Sequence, residues 1–395
     1  MSNGAAPDPY RRELTTEPWE IVSAWFEDSG ITVGPAAKVN MADRDPVIAE
    51  KTAWLFYTWK DMFVKNPVEM PPTDLVTHTI PTWAGAVPVR AKDKLYTPRK
   101  KKWMDRVIPQ MLQAWIIDQS VFPWCYRTKF VPKKNGDLRM VHVYVPMNTA
   151  TFLNLYPMKR IEPILNSLMK PGYKVYFKAD AANGYWAVPL APEHTYKTAF
   201  GTHMGQFHYL FLGQGVSGAP QTCTRLKDIF FGPIPGPNSE PALDNTDIPG
   251  TFHYFMDDDL SAHKMYENQW DFAHDHYFPC MAWAGLTMTA AKRGFFLEKI
   301  NPLGIVQKIE GLRPSEDKVA AIRDYPRRTN FDELNKFVWM TTYLRHFIPG
   351  RADHVQILKQ AAVLESVEDW HRWDPGKLDW NGRIVRKPRR VERWE

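Results

Sequence analysis

Residues 251–263 read Thr-Phe-His-Tyr-Phe-Met-Asp-Asp-Asp-Leu-Ser-Ala-His. Two short runs rich in aromatic and β-forming residues flank three consecutive acids. This pattern predicts two strands, Thr251 to Met256 and Leu260 to His263, joined at Asp257-Asp258-Asp259. A further acid lies upstream, where Tyr173 to Ala179 alternates as a strand that leads straight into Asp180. Carboxylates drawn from different strands to one sheet edge suit hard divalent cations, which prefer carboxylate oxygens and keep water and substrate phosphates as their other ligands. Two such ions about 4 Å apart can activate a hydroxyl and stabilise a leaving group. An acidic run at a turn is more often only a polar turn, so the surrounding segments must decide.

Working outward, Lys102 to Ile117 predicts a helix with Val107, Met111, Trp115 and Ile116 on one face. Arg127 to Pro132 and Leu138 to Tyr144 predict a hairpin turning at Lys133-Lys134-Asn135-Gly136, because Asn-Gly tolerates positive φ. Arg160 to Met169 reads as a helix stopped by Pro171-Gly172, and residues 231–250 read as a surface loop rich in Pro, Gly, Asn and Asp. A helix is expected from Glu267 to Trp283, kinked or broken at Pro279. Ser315 starts another that Pro326 ends. Asn330 with Glu333 resembles a capping box for a last helix, with Leu334, Phe337, Val338, Thr341 and Leu344 on one face. Residues 1–50 show no strong period. Strands and helices in mixed order predict an α+β fold.

The chain has 395 residues, 44% hydrophobic and 13% aromatic, enough for more than one packed core. Its net charge of +6 is modest, but the cations cluster in two runs: Arg99 to Lys102 with Arg106, and Arg383 to Arg393. Either is a solvated surface or a contact for a polyanion. Three cysteines without a CxxC pair predict neither a disulfide framework nor a zinc site, and fit a reducing compartment. No signal peptide or membrane-length apolar run is seen, so an intracellular, cytoplasmic protein is expected, a nuclear location remaining open. His263, His274 and His276 match no common zinc spacing and are expected to be solvated or capping.

Three motifs then carry a family resemblance. Phe255-Met256-Asp257-Asp258, preceded by Tyr254, resembles the Y-x-D-D box of reverse transcriptases, with Phe255 in the tyrosine place. Asp180-Ala181-Ala182-Asn183-Gly184-Tyr185 resembles D-x-x-x-G-Y. Leu212-Gly213-Gln214-Gly215, continuing to Ala219-Pro220, is similar to L-P-Q-G-x-x-x-S/A-P. Lys133 to Met140, Tyr156 to Ile161, Ala284 to Lys292, Leu303-Gly304 and Tyr343 to Pro349 extend the likeness across roughly residues 70 to 360. The chain resembles the polymerase module of a gypsy-type LTR retrotransposon.

That resemblance implies a right-hand polymerase fold of fingers, palm with an antiparallel sheet, and thumb. The implied division is an N-terminal extension (1–70), fingers and palm (71–265, with a fingers hairpin at 127–145 and a catalytic palm at 173–265), palm end, primer grip and thumb-like helices (266–350), and a basic tail (351–395), with no room left for an RNase H domain. It implies RNA-directed DNA polymerase activity with two Mg²⁺ ions (or Mn²⁺) held by Asp180, Asp257 and Asp258. Lys133, Lys134, Arg139, Tyr185, Gln214, Gly215 and Lys292 would meet the nucleotide, with Tyr185 as the gate against a 2′-hydroxyl. Phe255, Met256, Leu303 and Gly304 would meet the primer-template. The implied partners are an RNA template, a DNA primer or RNA–DNA duplex, and dNTPs, with no membrane. The pattern departs in the fingers: where the family has V-D-Y-R-x-L-N, this chain has His142-Val143-Tyr144-Val145-Pro146-Met147-Asn148. Loss of acid and arginine together leaves no charge unpaired. A domesticated or decayed copy that binds nucleic acid without synthesis is the second reading.

Overall fold

The computed structural model describes residues 12–34, 46–64, 72–91, 95–132, 136–152, 154–168, 172–180, 184–232, 250–256, 258–290, 293–301, 305–308, 311–326 and 331–365. The chain divides into two compact units, 1–300 and 301–395.

The first unit is organised by a five-stranded sheet: β1 (Thr32–Val33), β2 (Val175–Asp180), β3 (Thr251–Phe255), β4 (Asp258–His263) and β5 (Arg293–Leu297). The spatial order is β1-β5-β2-β4-β3, antiparallel throughout except for the parallel pair of β1 and β5. Alternation along each strand separates two cores. On one face, Tyr176, Leu260 and Ala262 pack under α1 (Ile161–Leu168), whose Ile164 and Leu168 are one helical turn apart. On the other, Phe177 and Ala179 join the main core with Leu226 and Phe230 of α2 (Ala219–Phe230) and with Phe272, Tyr277 and Phe278. Each fully buried Phe contributes about 1.5–3 kcal/mol of transfer free energy.

Residues within 12–34 and 46–64 pack into this unit. Phe56, on the helix Pro46–Thr58, is fully buried; its ring lies 4.8 Å from Phe295 and 6.1 Å from Phe278. Trp59 stacks on Phe278 at 5.6 Å. Gly34 donates its amide to the Phe295 carbonyl at 2.8 Å, and a Cβ there would lie 2.2 Å from the Phe296 oxygen. Only glycine allows β1 to dock this closely. The weak periodicity of residues 1–50 concealed two helices, Trp19–Asp28 and Pro46–Thr58.

Several sequence expectations shift in place. The helix expected from Lys102 runs Pro98–Gln113, because Pro98 after Thr97 occupies a first-turn position that needs no amide donor. Trp115, expected on that helix face, lies beyond it with φ +57 and is 70% exposed. The fingers-like hairpin is Thr128–Pro132 with Leu138–His142, in register from Pro132↔Leu138 to Thr128↔His142. At 266–283, Pro279 does not break the helix. A π-helical turn, Ala273–Tyr277, widens the backbone just before it, which relieves the clash with the carbonyl four residues back.

In the second unit, Ile305–Lys308 and Gly311–Pro314 form a hairpin, followed by helices Glu316–Arg323, Phe331–Tyr343 and Arg351–Glu365. Leu334, Thr341 and Leu344 are buried as their shared face predicts, whereas Asn330 of the expected capping box lies outside the described residues.

Candidate active site

Asp180 is the last residue of β2 and Asp258 the first of β4, and the two are direct cross-strand partners. The strand β4 therefore starts two residues earlier than the sequence reading placed it, and Asp258 and Asp259 belong to the ladder rather than to a turn. Phe255 pairs with Asp258, so only two residues separate β3 from β4 in the sequence. A two-residue hairpin turn needs positive φ at its first position. Met256 accordingly takes φ +51, with its side chain 38% exposed.

Period-two alternation sends neighbouring acids to opposite faces. The Asp258 side chain is 12% exposed with Lys178 Nζ 3.4 Å from its Oδ1. Asp259 points into the main core, 4% exposed, where Lys227 Nζ lies 2.5 Å from Oδ1 and the Tyr277 hydroxyl donates to Oδ2 at 3.0 Å. The third aspartate of the run is thus a core ion-pair partner.

The loop of Gln214 and Gly215 leads into α2. Gly215 (φ +89) and the N-cap Gly218 (φ +79) both adopt the left-handed region, and Pro220 sits in the first turn of α2. Asn148 holds this loop from both sides: its Nδ2 donates to the Gly215 carbonyl at 2.9 Å, and its Oδ1 accepts the Ser217 amide at 2.9 Å. Tyr185, in the 3₁₀ turn Gly184–Ala187 that follows β2, is half-buried against the main core.

Residues 131–307 match the family described as reverse transcriptase (RNA-dependent DNA polymerase). The chain carries a reverse transcriptase domain. Its relatives include the retrovirus-related Pol polyprotein from transposon 297 of Drosophila melanogaster, 26% identical across 77% of this chain and 28% of that protein. The Pol polyprotein from transposon opus of the same species is 28% identical, across 67% of this chain and 25% of the relative. The transposon Tf2-3 polyprotein of Schizosaccharomyces pombe is 28% identical, across 70% and 19%. The chain spans about a quarter of the length of these relatives or less. Among solved structures, the foamy viral protease-reverse transcriptase in complex with RNA/DNA hybrid matches with a TM-score of 0.67 at 18% identity, over 89% of this chain and 44% of that one. The dRH form in complex with double-stranded DNA gives 0.69 at 18% identity, over 92% and 58%. The fold is the polymerase fold that the motifs implied.

The remaining expected site residues fall unevenly. Arg139 is exposed on the hairpin strand opposite Val131, and Gln214 is half-buried. Asp257, Lys133, Lys134, Lys292, Leu303, Gly304 and the basic run 383–393 lie outside the described residues. The three histidines expected at the surface are core residues instead: His263, His274 and His276 are 1%, 6% and 1% exposed. Burial lowers the pKa of His276 to about 4, which keeps it neutral.

The sequence reading missed four side chains beside the acidic hairpin. Asp228 of α2 accepts the hydroxyls of Tyr254 and Tyr156, the latter at 2.6 Å, and lies 3.3 Å from Lys159 Nζ. That ammonium sits 3.2 Å over the Tyr254 ring. Burial, reinforced by Asp228, pushes the Tyr156 phenol up to about 12 and holds Tyr254 well above its ordinary value. Burial lowers Lys159, while Asp228 acts in the opposite sense. The signal available was the Tyr-Pro-Met-Lys segment at 156–159, read only as a motif and not as a source of donors.

Proposed function

We propose that this chain is the RNA-directed DNA polymerase module of a gypsy-type LTR retrotransposon. It extends a DNA primer on an RNA template with dNTPs inside the cell. The observation that carries the reading is the cross-strand partnership of Asp180 and Asp258 at the adjoining ends of β2 and β4. It joins the D-x-x-x-G-Y and Y-x-D-D motifs at one place.

The donor chemistry fits a hard cation. Asp180, Asp257 and Asp258 offer only carboxylate oxygens, the donors that a hard divalent cation prefers. Asp258 differs from Asp259 in this respect, since Lys178 stands beside it at 3.4 Å rather than sealing it. Two Mg²⁺ ions, held by these three aspartates, would supply Lewis-acid stabilisation of the phosphate oxygens. Lys133 or Lys134 and Arg139 draw in the triphosphate, whose charge they offset. Gln214 and Gly215 shape the nucleotide pocket, and the ring of Tyr185 fills the space that a ribose 2′-hydroxyl would need. Lys292 is the candidate proton donor to the leaving pyrophosphate. Phe255, Met256, Leu303 and Gly304 meet the primer-template.

The test is primer extension on an RNA template with dNTPs and Mg²⁺, set against Asp258→Asn and Asp257→Asn. Extension far above both variants is expected. Extension no greater than theirs, with duplex binding retained, would move the reading to nucleic-acid holding without synthesis. Replacing Tyr185 with Ala should admit ribonucleotides, and unchanged sugar selectivity would remove its assignment as gate.

A further inference from the structure

Asp259 and Tyr254 are cross-strand partners, one rung along from the Asp258/Phe255 pair that closes the turn. Both turn their side chains toward α2, which meets them with two consecutive residues. Lys227 takes Asp259 at 2.5 Å, and Asp228 takes the Tyr254 hydroxyl. Two outer hydroxyls complete the arrangement, Tyr277 on Asp259 at 3.0 Å and Tyr156 on Asp228 at 2.6 Å. The groups are withdrawn from water, with side-chain exposures of 9% for Lys227, 4% for Asp259 and 15% for Asp228.

This placement answers a mechanical problem. The strand β3 is the edge of its sheet, with β4 as its lateral partner, and the turn joining the two holds a non-glycine residue at φ +51. An edge strand next to a turn residue in the left-handed region has a lateral partner on one side alone. Yet it pairs with the start of β4, where Asp258 is assigned to metal binding and small displacements are costly. We propose that Lys227 and Asp228 are positioning residues, which clasp the Asp259/Tyr254 rung to α2 and so hold Asp258, the neighbouring residue on β4, in its metal-binding place. The proposal rests on the polymerase reading of that site. It also gives the third aspartate of the run a role distinct from its neighbours.

The experiment compares the full chain with three variants: the double change Lys227→Met with Asp259→Leu, the single Asp228→Asn, and Tyr254→Phe. The double change removes both charges together, which avoids the penalty of one unpaired buried charge. Four quantities are read: the thermal midpoint, affinity for an RNA–DNA duplex, hydrogen exchange of amides 251–263, and single-turnover extension as a function of Mg²⁺ concentration. For the double change we expect a midpoint within a few degrees of the parent and unchanged duplex affinity. Hairpin amides should exchange at least tenfold faster, saturated extension should fall at least tenfold, and the Mg²⁺ concentration for half-maximal rate should rise several-fold. Hairpin exchange equal to the parent, or parental rate with parental Mg²⁺ dependence, overturns the proposal. If the double variant does not fold, Asp228→Asn and Tyr254→Phe give the same comparison, since the first removes the charge that faces Lys159 and the second removes the Tyr254 hydrogen bond, both in the less buried half. If the parent itself does not extend primers, the polymerase reading fails, while hairpin exchange still decides for or against the clasp.

Discussion

The dependence of the site on the N-terminal helices can be tested at one ring. Phe56 has no exposed surface and lies within 6.1 Å of four aromatic rings, those of Phe26, Phe63, Phe278 and Phe295. Phe295 in turn is 4.7 Å from Phe177, three residues before Asp180 on β2. Replacing Phe56 with Ala forfeits about 2 kcal/mol of transfer free energy. A residual cavity on the order of 100 Å³, at about 24 cal/mol per Å³, adds about 2 kcal/mol more. The sum, about 4 kcal/mol, is a large share of the stability of a typical domain. Urea unfolding followed by tryptophan fluorescence reads it directly, because Trp59 stacks on the same Phe278 ring. Phe56→Leu should lose much less, since it keeps most of the volume. If Phe56→Ala shifts the transition by less than about 1 kcal/mol, residues 12–34 and 46–64 are an appendage and the packing described for Phe56 is wrong.

Three further outcomes follow from single residues. His142 is buried against Phe200 and Tyr209, and burial lowers its pKa to about 3, so below pH 6.5 the unfolded chain takes up a proton that the folded chain refuses. Stability is therefore full above about pH 6.5 and is lost as pH falls toward 3, by up to about 1.4 kcal/mol per pH unit for this group. In denaturation series at several pH values, His142→Gln should have a shallower slope than the parent in that window, and equal slopes would refute the assignment. Asn148→Ala removes both hydrogen bonds to the Gly215–Ser217 loop, at a cost of about 1–3 kcal/mol. On the polymerase reading it should raise the KM for dNTPs more than it lowers kcat; steady-state kinetics showing the reverse would place Asn148 elsewhere in the mechanism. Met256→Gly relieves a left-handed non-glycine residue and should stabilise the hairpin by about 1 kcal/mol. A thermal midpoint below the parent's would show that the methionine side chain contributes more than its backbone costs.

What the sequence could signal is local: Asp180 ends an alternating run, and Asn135-Gly136 reads as a hairpin turn between two strand-like segments, each signal contained in a few neighbouring residues. The exact start of β4 was not legible, since three acids look like a turn until the ladder partner of Asp258 is known. The contacts that were missed are long-range. Lys227 and Asp259 are 32 residues apart, and Tyr156 and Asp228 are 72 apart. Nothing in the local pattern of either helix or strand states that these charges meet in a core. The same applies to Phe56, whose helix has little amphipathic pattern because aromatic neighbours cover it on several sides.

Asp258 and Asp259 are adjacent in the chain but exposed to different kinds of loss. On the polymerase reading, a copy released from the need to synthesise DNA can exchange Asp258 for a neutral residue at smaller cost, because its partner Lys178 keeps access to water. Asp259 has no such freedom, because its removal alone strands the Lys227 ammonium away from water. Among descendants of such a sequence, the silent ones should show a changed Asp258 beside a preserved Asp259, or else a joint replacement of Asp259 and Lys227. The order in which these two neighbouring letters erode would then record whether chemistry or folding was lost first.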